Sequence, residues 1–223
     1  MREFASLQLD VTDLSKEKIL MANRAVIEAV ASFRDVDFDS VHAIFGTSAE
    51  SFELATQLQP RDIQKLSETR ISVWKNRFEL RSLPTSGAAS AAPILDRQHL
   101  NDSLARSYDD VSEALWSSLG SYRQGKIRAA NGMIVDAIAS FNTVDDPAAH
   151  LLFDMSPEAF ALTKRLQHID RHALSDTVRP IWTIRFDLKP QQTPGTKPAA
   201  GQGEREYLVA TLLKNFKDIE IPR

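Results

Sequence analysis

The chain has 223 residues, 43% of them apolar, a net charge of −3 and no cysteine. This length suits one large domain or two small ones, and the apolar share can fill a packed core, which excludes wholesale disorder. The lack of cysteine removes disulfides, thiolate zinc sites and cysteine nucleophiles, and the net charge means that any nucleic-acid contact must come from a local basic patch or from a partner.

The first residues, Met1 to Lys18, have no long apolar core and no small-residue cleavage pattern. No run approaches the roughly 20 apolar residues of a membrane-spanning helix. A soluble, cytoplasmic protein without a membrane association is expected.

A first helix opens at Thr12 or Asp13, either of which can cap it. Its apolar residues Ile19, Ala22, Val26, Val30 and Phe33 advance in steps of 3, 4, 4 and 3, one face of a helix. A short helix from Asp39 to Phe45 is stopped by Gly46. Another opens at Ser48, and the next at Pro60, carrying Ile63 and Leu66 and reaching toward Ile71. The run through Trp74, Phe78 and Leu80 stays open between helix and extended chain, because Asn76 interrupts its alternation. Thr85 to Pro93 is a small-residue linker, and a last helix carries Leu100, Leu104 and Tyr108.

The series is then written again. Gln59, Asp62, Leu66, Ser67, Thr69, Trp74, Arg77, Phe78 and Leu80 return as Gln167, Asp170, Leu174, Ser175, Thr177, Trp182, Arg185, Phe186 and Leu188, each 108 positions on (59 to 167, 80 to 188). Ala22-Asn23 returns as Ala130-Asn131, Phe33 as Phe141, His42 as His150, Phe45 as Phe153 and Phe52 as Phe160, without a gap. Two tandem repeats are expected, residues 1–113 and 114–223. The second repeats the helical face with Ile127, Ala130, Ile134, Ile138 and Phe141. It opens a helix at Ser156-Pro157-Glu158, where serine caps, proline suits the first position and glutamate meets the positive end of the dipole. Pro180 should break its later helix, after which Trp182, Ile184, Phe186 and Leu188 alternate as in a strand. Lys189 to Gly203 is a second linker, and Tyr207, Leu208, Leu212 and Phe216 form a second last helix. Each long helix either pairs with its copy or packs within its own repeat. Each last helix either docks on its own domain or is offered to a partner.

The repeats resemble the FlhD family, the small subunit of the flagellar master transcriptional regulator. The resemblance rests on Ala22-Asn23-Arg24, Ala43-Ile44-Phe45, Lys65-Leu66-Ser67-Glu68-Thr69 and Arg77-Phe78, and again on Ala130-Asn131, Leu152-Phe153, Leu174-Ser175-Asp176-Thr177 and Arg185-Phe186. It covers nearly the whole chain, twice, through the order and spacing of these elements. It implies a mainly α fold, with two tandem helical FlhD-like repeats joined as a covalent pseudo-twofold dimer. It also implies an FlhC-like partner that carries zinc on its own cysteines and makes much of the DNA contact. The second repeat departs from the pattern at Gly132, in place of the arginine, and at His172-Ala173, where the first has Gln64-Lys65.

Basic charge gathers in the two repeated stretches. Arg61 to Arg81 holds the bases Arg61, Lys65, Arg70, Lys75, Arg77 and Arg81 against three acids. Lys164 to Lys189 again holds six bases, Lys164, Arg165, Arg171, Arg179, Arg185 and Lys189, against three acids. The candidate DNA contacts are Arg61, Lys65, Arg70, Lys75, Arg77, Arg171, Arg179 and Arg185, on two basic faces related by the repeat. The alternative is two solvated helix surfaces, with Arg77 and Arg185 bonded internally. His42 and His150 read as core or capping residues, and Trp74 and Trp182 as core anchors. No metal site, cofactor or enzymatic activity is expected, since no phosphate-cradling loop, nucleophile elbow or His-Glu-x-x-His is present.

The expected function is a transcription-regulating subunit that works with an FlhC-like subunit at promoter DNA, with RNA polymerase as a further partner and room for a higher oligomer. The alternative is an interaction module, or antagonist, that occupies the FlhC-like partner without activating transcription.

Overall fold

The computed structural model describes residues 13–49, 52, 58–67, 72–77, 96–106, 108, 111–141, 153, 155–166 and 168–184. These are mostly helical: eight helices and two short strands among the described residues. In chain order they are α1 (Asp13–Ala31), α2 (Phe38–Phe45), α3 (Pro60–Ser67), β1 (Trp74–Asn76), α4 (Arg97–Arg106), α5 (Glu113–Ser118), α6 (Ser121–Ala139), α7 (Pro157–Arg165), α8 (His168–Asp176) and β2 (Trp182–Ile184).

The frame is the pair α1 and α6. Ile19, Ala22, Val26, Val30 and Phe33 are all buried, and so are Ile127, Ala130, Ile134, Ile138 and Phe141. Both helices therefore bury the face their spacing predicts. They run antiparallel, because the start of each meets the end of the other. The Ser15 hydroxyl donates to the Ser140 carbonyl at 2.9 Å, and the Arg123 Nε–H donates to the Ser32 carbonyl at 3.1 Å. Between these ends Lys18 lies 3.9 Å from Asp136, and Lys126 Nζ donates to Glu28 at 2.8 Å. The two helices thus pair with each other, one of the two alternatives open in the sequence. On their flanks α3 packs against α1, and α7 and α8 pack against α6.

Each long helix carries a buried asparagine in its apolar face, and each asparagine ties down a later segment. The Val73 N–H donates to Asn23 Oδ1 at 3.0 Å, and the Ile181 N–H donates to Asn131 Oδ1 at 3.2 Å. Asn131 Nδ2 also donates to the Thr177 and Arg179 carbonyls, both at 3.0 Å. A buried amide that meets its partners fixes where a chain segment lies, since an unmet one is costly. The anchored segments lead into β1 and β2. These pair antiparallel, with Trp74 opposite Ile184, Lys75 opposite Thr183 and Asn76 opposite Trp182. The run from Trp74 is thus extended as well, despite Asn76. The tether from Asn23 and the partner strand decide a conformation that side-chain alternation leaves open.

Trp74 and Trp182 are both fully buried. Trp74 stacks on Phe153 at 5.1 Å between centroids, and Trp182 stacks on Phe45 at 5.3 Å. The same phenylalanines meet Phe141 and Phe33 edge-on, at 5.2 and 4.9 Å. The aromatic contacts join all of these elements into one apolar core.

Helix α2 shows how the strands are held. Its start is capped by Asp37, whose carboxylate accepts from the Ser40 N–H at 2.9 Å. That bond and then the Ser40 hydroxyl hold the Asp37 carboxyl below its ordinary range. Its last four carbonyls all have donors. The Gly46 N–H, in the left-handed conformation at φ 63°, reaches the His42 carbonyl at 2.7 Å. Arg77 donates to the Ala43 and Ile44 carbonyls at 3.3 and 2.6 Å, and Thr183 donates to the Phe45 carbonyl at 2.6 Å. A side chain at position 46 would place its Cβ 2.7 Å from Thr183 Oγ1, so glycine is needed there twice over. His42 is an exposed capping residue whose Nδ1–H reaches the Thr47 carbonyl at 2.6 Å.

The helix expected around Leu100 is α4. Leu100 and Tyr108 are buried, so it docks on the rest of the protein. Helix α5 follows, capped by the Ser112 hydroxyl, and buries Trp116; the sequence reading has no element there. Ser156 caps α7 as expected, accepting from the Ala159 N–H at 3.2 Å. Helix α8 ends at Asp176, ahead of Pro180. The two linkers, the second last helix with Leu208, Leu212 and Phe216, and Phe78, Leu80, His150, Phe186 and Leu188 lie outside the described residues, as do the side chains of Leu66 and Leu104.

Candidate nucleic-acid interface

Six of the eight candidate basic residues are described, and the fold separates them into two groups. Arg70 and Arg185 lie outside the described residues.

Arg61 and Lys65 stand on α3. This helix forms because Pro60 fits the first position and the Asp62 carboxylate takes the free Gln59 N–H at 3.0 Å. Asp62 turns inward and is buried, while Pro60, Arg61, Gln64 and Lys65 face outward. Arg61 and Lys65 are one turn apart and share that outer face. Arg61 lies 3.8 Å from the Asp62 carboxylate with its side chain 55% exposed. So loose an exposed pair holds the guanidinium weakly and leaves it able to meet an anion.

Arg77, Arg171 and Arg179 are engaged within the fold. Arg77 closes the end of α2, as described, with its guanidinium 4.2 Å above the Tyr108 ring. Arg171 donates to the Leu166 and Lys164 carbonyls at 3.2 and 3.1 Å, closing the end of α7. Arg179 pairs with Glu113 and lies 5.9 Å from the Trp116 ring centroid. Lys75 sits in β1, half-buried, opposite Thr183.

Tyr108 joins this inner group. Its hydroxyl donates to the Pro180 carbonyl, and its ring meets Trp116 edge-on at 5.2 Å. Burial pushes its hydroxyl well above the ordinary tyrosine range, against the smaller opposing pull of Arg77 and Arg179, so it stays neutral and acts as a donor. Arg77, Tyr108, Trp116 and Arg179 therefore touch in sequence and lock the segment around α5 to the start of β2.

Chain-order reading missed Glu113, Tyr108, Asn131 and Thr183 as partners of these groups. Only Asn131 carried a signal, an amide set into an otherwise apolar helical face beside Ala130. No three metal-ligating side chains converge among the described residues, and no helix among them is long and apolar enough to cross a membrane. Compared with protein-family models, curated proteins and solved structures, the chain matches none of them.

Proposed function

We propose that the protein is a transcription-regulating subunit built from two tandem FlhD-like repeats, residues 1–113 and 114–223, folded on each other as a pseudo-dimer. It acts with an FlhC-like zinc-bearing subunit at promoter DNA. The observation that carries the duplicated arrangement is the correspondence of its contacts. Adding 108 to Phe45 and subtracting it from Trp182 turns that stack into the stack of Phe153 on Trp74. The same exchange turns Lys18–Asp136 into Lys126–Glu28 and Ser15–Ser140 into Arg123–Ser32, and adding 108 to both partners turns Asn23–Val73 into Asn131–Ile181. Each tryptophan sits on the other repeat's phenylalanine, so in this reading the repeats are not independent folding units. Fusion holds such halves at high effective concentration and lets their surfaces diverge.

The DNA role rests on the resemblance and on the outward face of Arg61 and Lys65. The internal engagement of Arg77, Arg171 and Arg179 favours a second reading. In that reading the chain is chiefly a partner-binding module, or antagonist, that leaves DNA contact to the other subunit.

The deciding experiment is a mobility shift of a promoter fragment with this chain, an FlhC-like subunit and the pair. The first reading expects a shift by the pair that neither subunit gives alone. Removing both cations with Arg61→Ala and Lys65→Ala should lower the salt dependence of that shift by about two counterions. If this chain instead strips the partner from DNA, the antagonist reading replaces it.

A further inference from the structure

The outer face of α8 holds two imidazoles one turn apart. His168 and His172 are both exposed, at i and i+4, and their ring centroids lie 6.4 Å apart at 70°. His172 Nδ1 lies 3.1 Å from the Asp176 carboxylate, one further turn on. We propose that His168 and His172 form a surface site for a late divalent transition-metal ion such as Zn²⁺, Ni²⁺ or Cu²⁺.

Three features support the site. First, the Asp176 carboxylate lies 3.1 Å from His172 Nδ1 and so favours the tautomer with its proton on that nitrogen. That tautomer leaves the Nε2 lone pair to bind a metal, the arrangement that metal-binding histidines use. Second, the span is within reach. Imidazoles bound to one metal at about 2.0–2.1 Å have centroids roughly 4.5–5.2 Å apart, so rotation of two exposed side chains must bring the rings closer by about 1–2 Å. Third, the local charge permits it. The one cation within this helix, Arg171, is turned back onto the Leu166 and Lys164 carbonyls, and Arg128 of α6 donates to the Asp176 backbone carbonyl, while the Asp176 carboxylate contributes a negative charge beside His172. The remaining coordination positions go to water, since no third ligating side chain among the described residues converges here. Imidazole selects zinc, nickel and copper, whereas magnesium and calcium prefer oxygen. The feature belongs to α8 alone, because the residues 108 positions earlier are Pro60 and Gln64.

The test is calorimetric titration of the full, untagged chain with ZnCl₂, with MgCl₂ as the control. One equivalent of Zn²⁺ should bind, and MgCl₂ should give no binding heat. His168→Ala and His172→Ala should each weaken Zn²⁺ binding at least about tenfold, and Asp176→Asn by about tenfold through the lost orientation of His172. His42→Ala, on a separate helix, should bind like the parent protein. These side chains are exposed, and circular dichroism of each variant should match the parent. No Zn²⁺ binding by the parent chain, or equal binding by the double variant His168→Ala/His172→Ala, would overturn the site.

Discussion

Residues 60–76 and 168–184 make the same kind of unit, a helix and then a short strand, with matched interiors and unmatched exteriors. Inside, Asp62 and Asp170 are both buried, Val73 and Ile181 both reach a buried asparagine, and Trp74 and Trp182 both stack on a phenylalanine. Outside, α3 shows Pro60, Arg61, Gln64 and Lys65, whereas α8 shows His168, Ile169, His172 and Ala173. Packing and buried hydrogen bonds constrain the first set, and only solvent or a partner constrains the second. The comparison separates what holds the fold from what is free to carry function.

The interiors should fail alike. Trp74→Ala and Trp182→Ala each remove a fully buried indole from a stacked pair, at a cost of about 3–5 kcal/mol. Their urea midpoints should fall by similar amounts. Trp74→Phe should cost much less, because it keeps the ring and the indole N–H has no acceptor among the described residues. A loss below about 1 kcal/mol for one alanine variant and not the other would show that the interiors are not equivalent.

The asparagines give the next largest effect. Asn131→Ala strands the buried Ile181 N–H and releases two carbonyls, which should cost about 2–3 kcal/mol. Asn23→Ala strands the Val73 N–H and should be destabilising in the same way. Amide exchange should accelerate selectively at Ile181 in the first variant and at Val73 in the second. Uniform acceleration across the chain would mean that the asparagines do not locally anchor the strands.

These interiors explain how much the sequence could disclose. The faces of α1 and α6 were readable because period and burial coincide over four residues each, with buried Phe33 and Phe141 just past the helix ends. The Ser156 cap and the core role of Trp74 and Trp182 were readable for similar local reasons. Strand pairing was not, since three-residue strands from distant parts of the chain meet through a register that no local pattern encodes. The basic stretches were the hardest case. A charge count cannot tell Arg61, which faces solvent, from Arg77 and Arg171, which are drawn to the open carbonyl ends of α2 and α7.

Smaller effects come from the polar rim of the α1–α6 pair, whose two ends also differ. Lys126 bonds Glu28 at 2.8 Å, with Arg24 donating to the same carboxylate, whereas Lys18 stays 3.9 Å from Asp136. Burial raises the pKa of Glu28, but the bonds from Lys126 and Arg24 outweigh it and leave the carboxyl below its ordinary 4.5. A depressed folded pKa means stability that is present above pH 4.5 and is lost as the pH falls through the folded value. Glu28→Gln should therefore cost below about 1 kcal/mol at neutral pH and flatten the acid limb of the stability curve. Asp136→Asn should cost less. Equal losses at both ends would remove the distinction.

The smallest effect on stability, and the sharpest on function, comes from exchanging the outer faces. Arg61→Ile with Lys65→Ala gives α3 the residues of α8, and Ile169→Arg with Ala173→Lys gives α8 those of α3. All four positions are exposed, so each double variant should stay within about 0.5 kcal/mol of the parent. Heparin retention should move in opposite directions, earlier elution for the first and later for the second, because only solvent-facing charge changes. If the first exchange leaves retention unchanged, polyanion binding does not lie on α3. Lys75 in the strand pair, or the basic residues outside the described ones, would then be the place to look. If the second exchange alone restores retention lost in the first, the two faces are interchangeable platforms and their asymmetry lies in side chains rather than in the scaffold beneath.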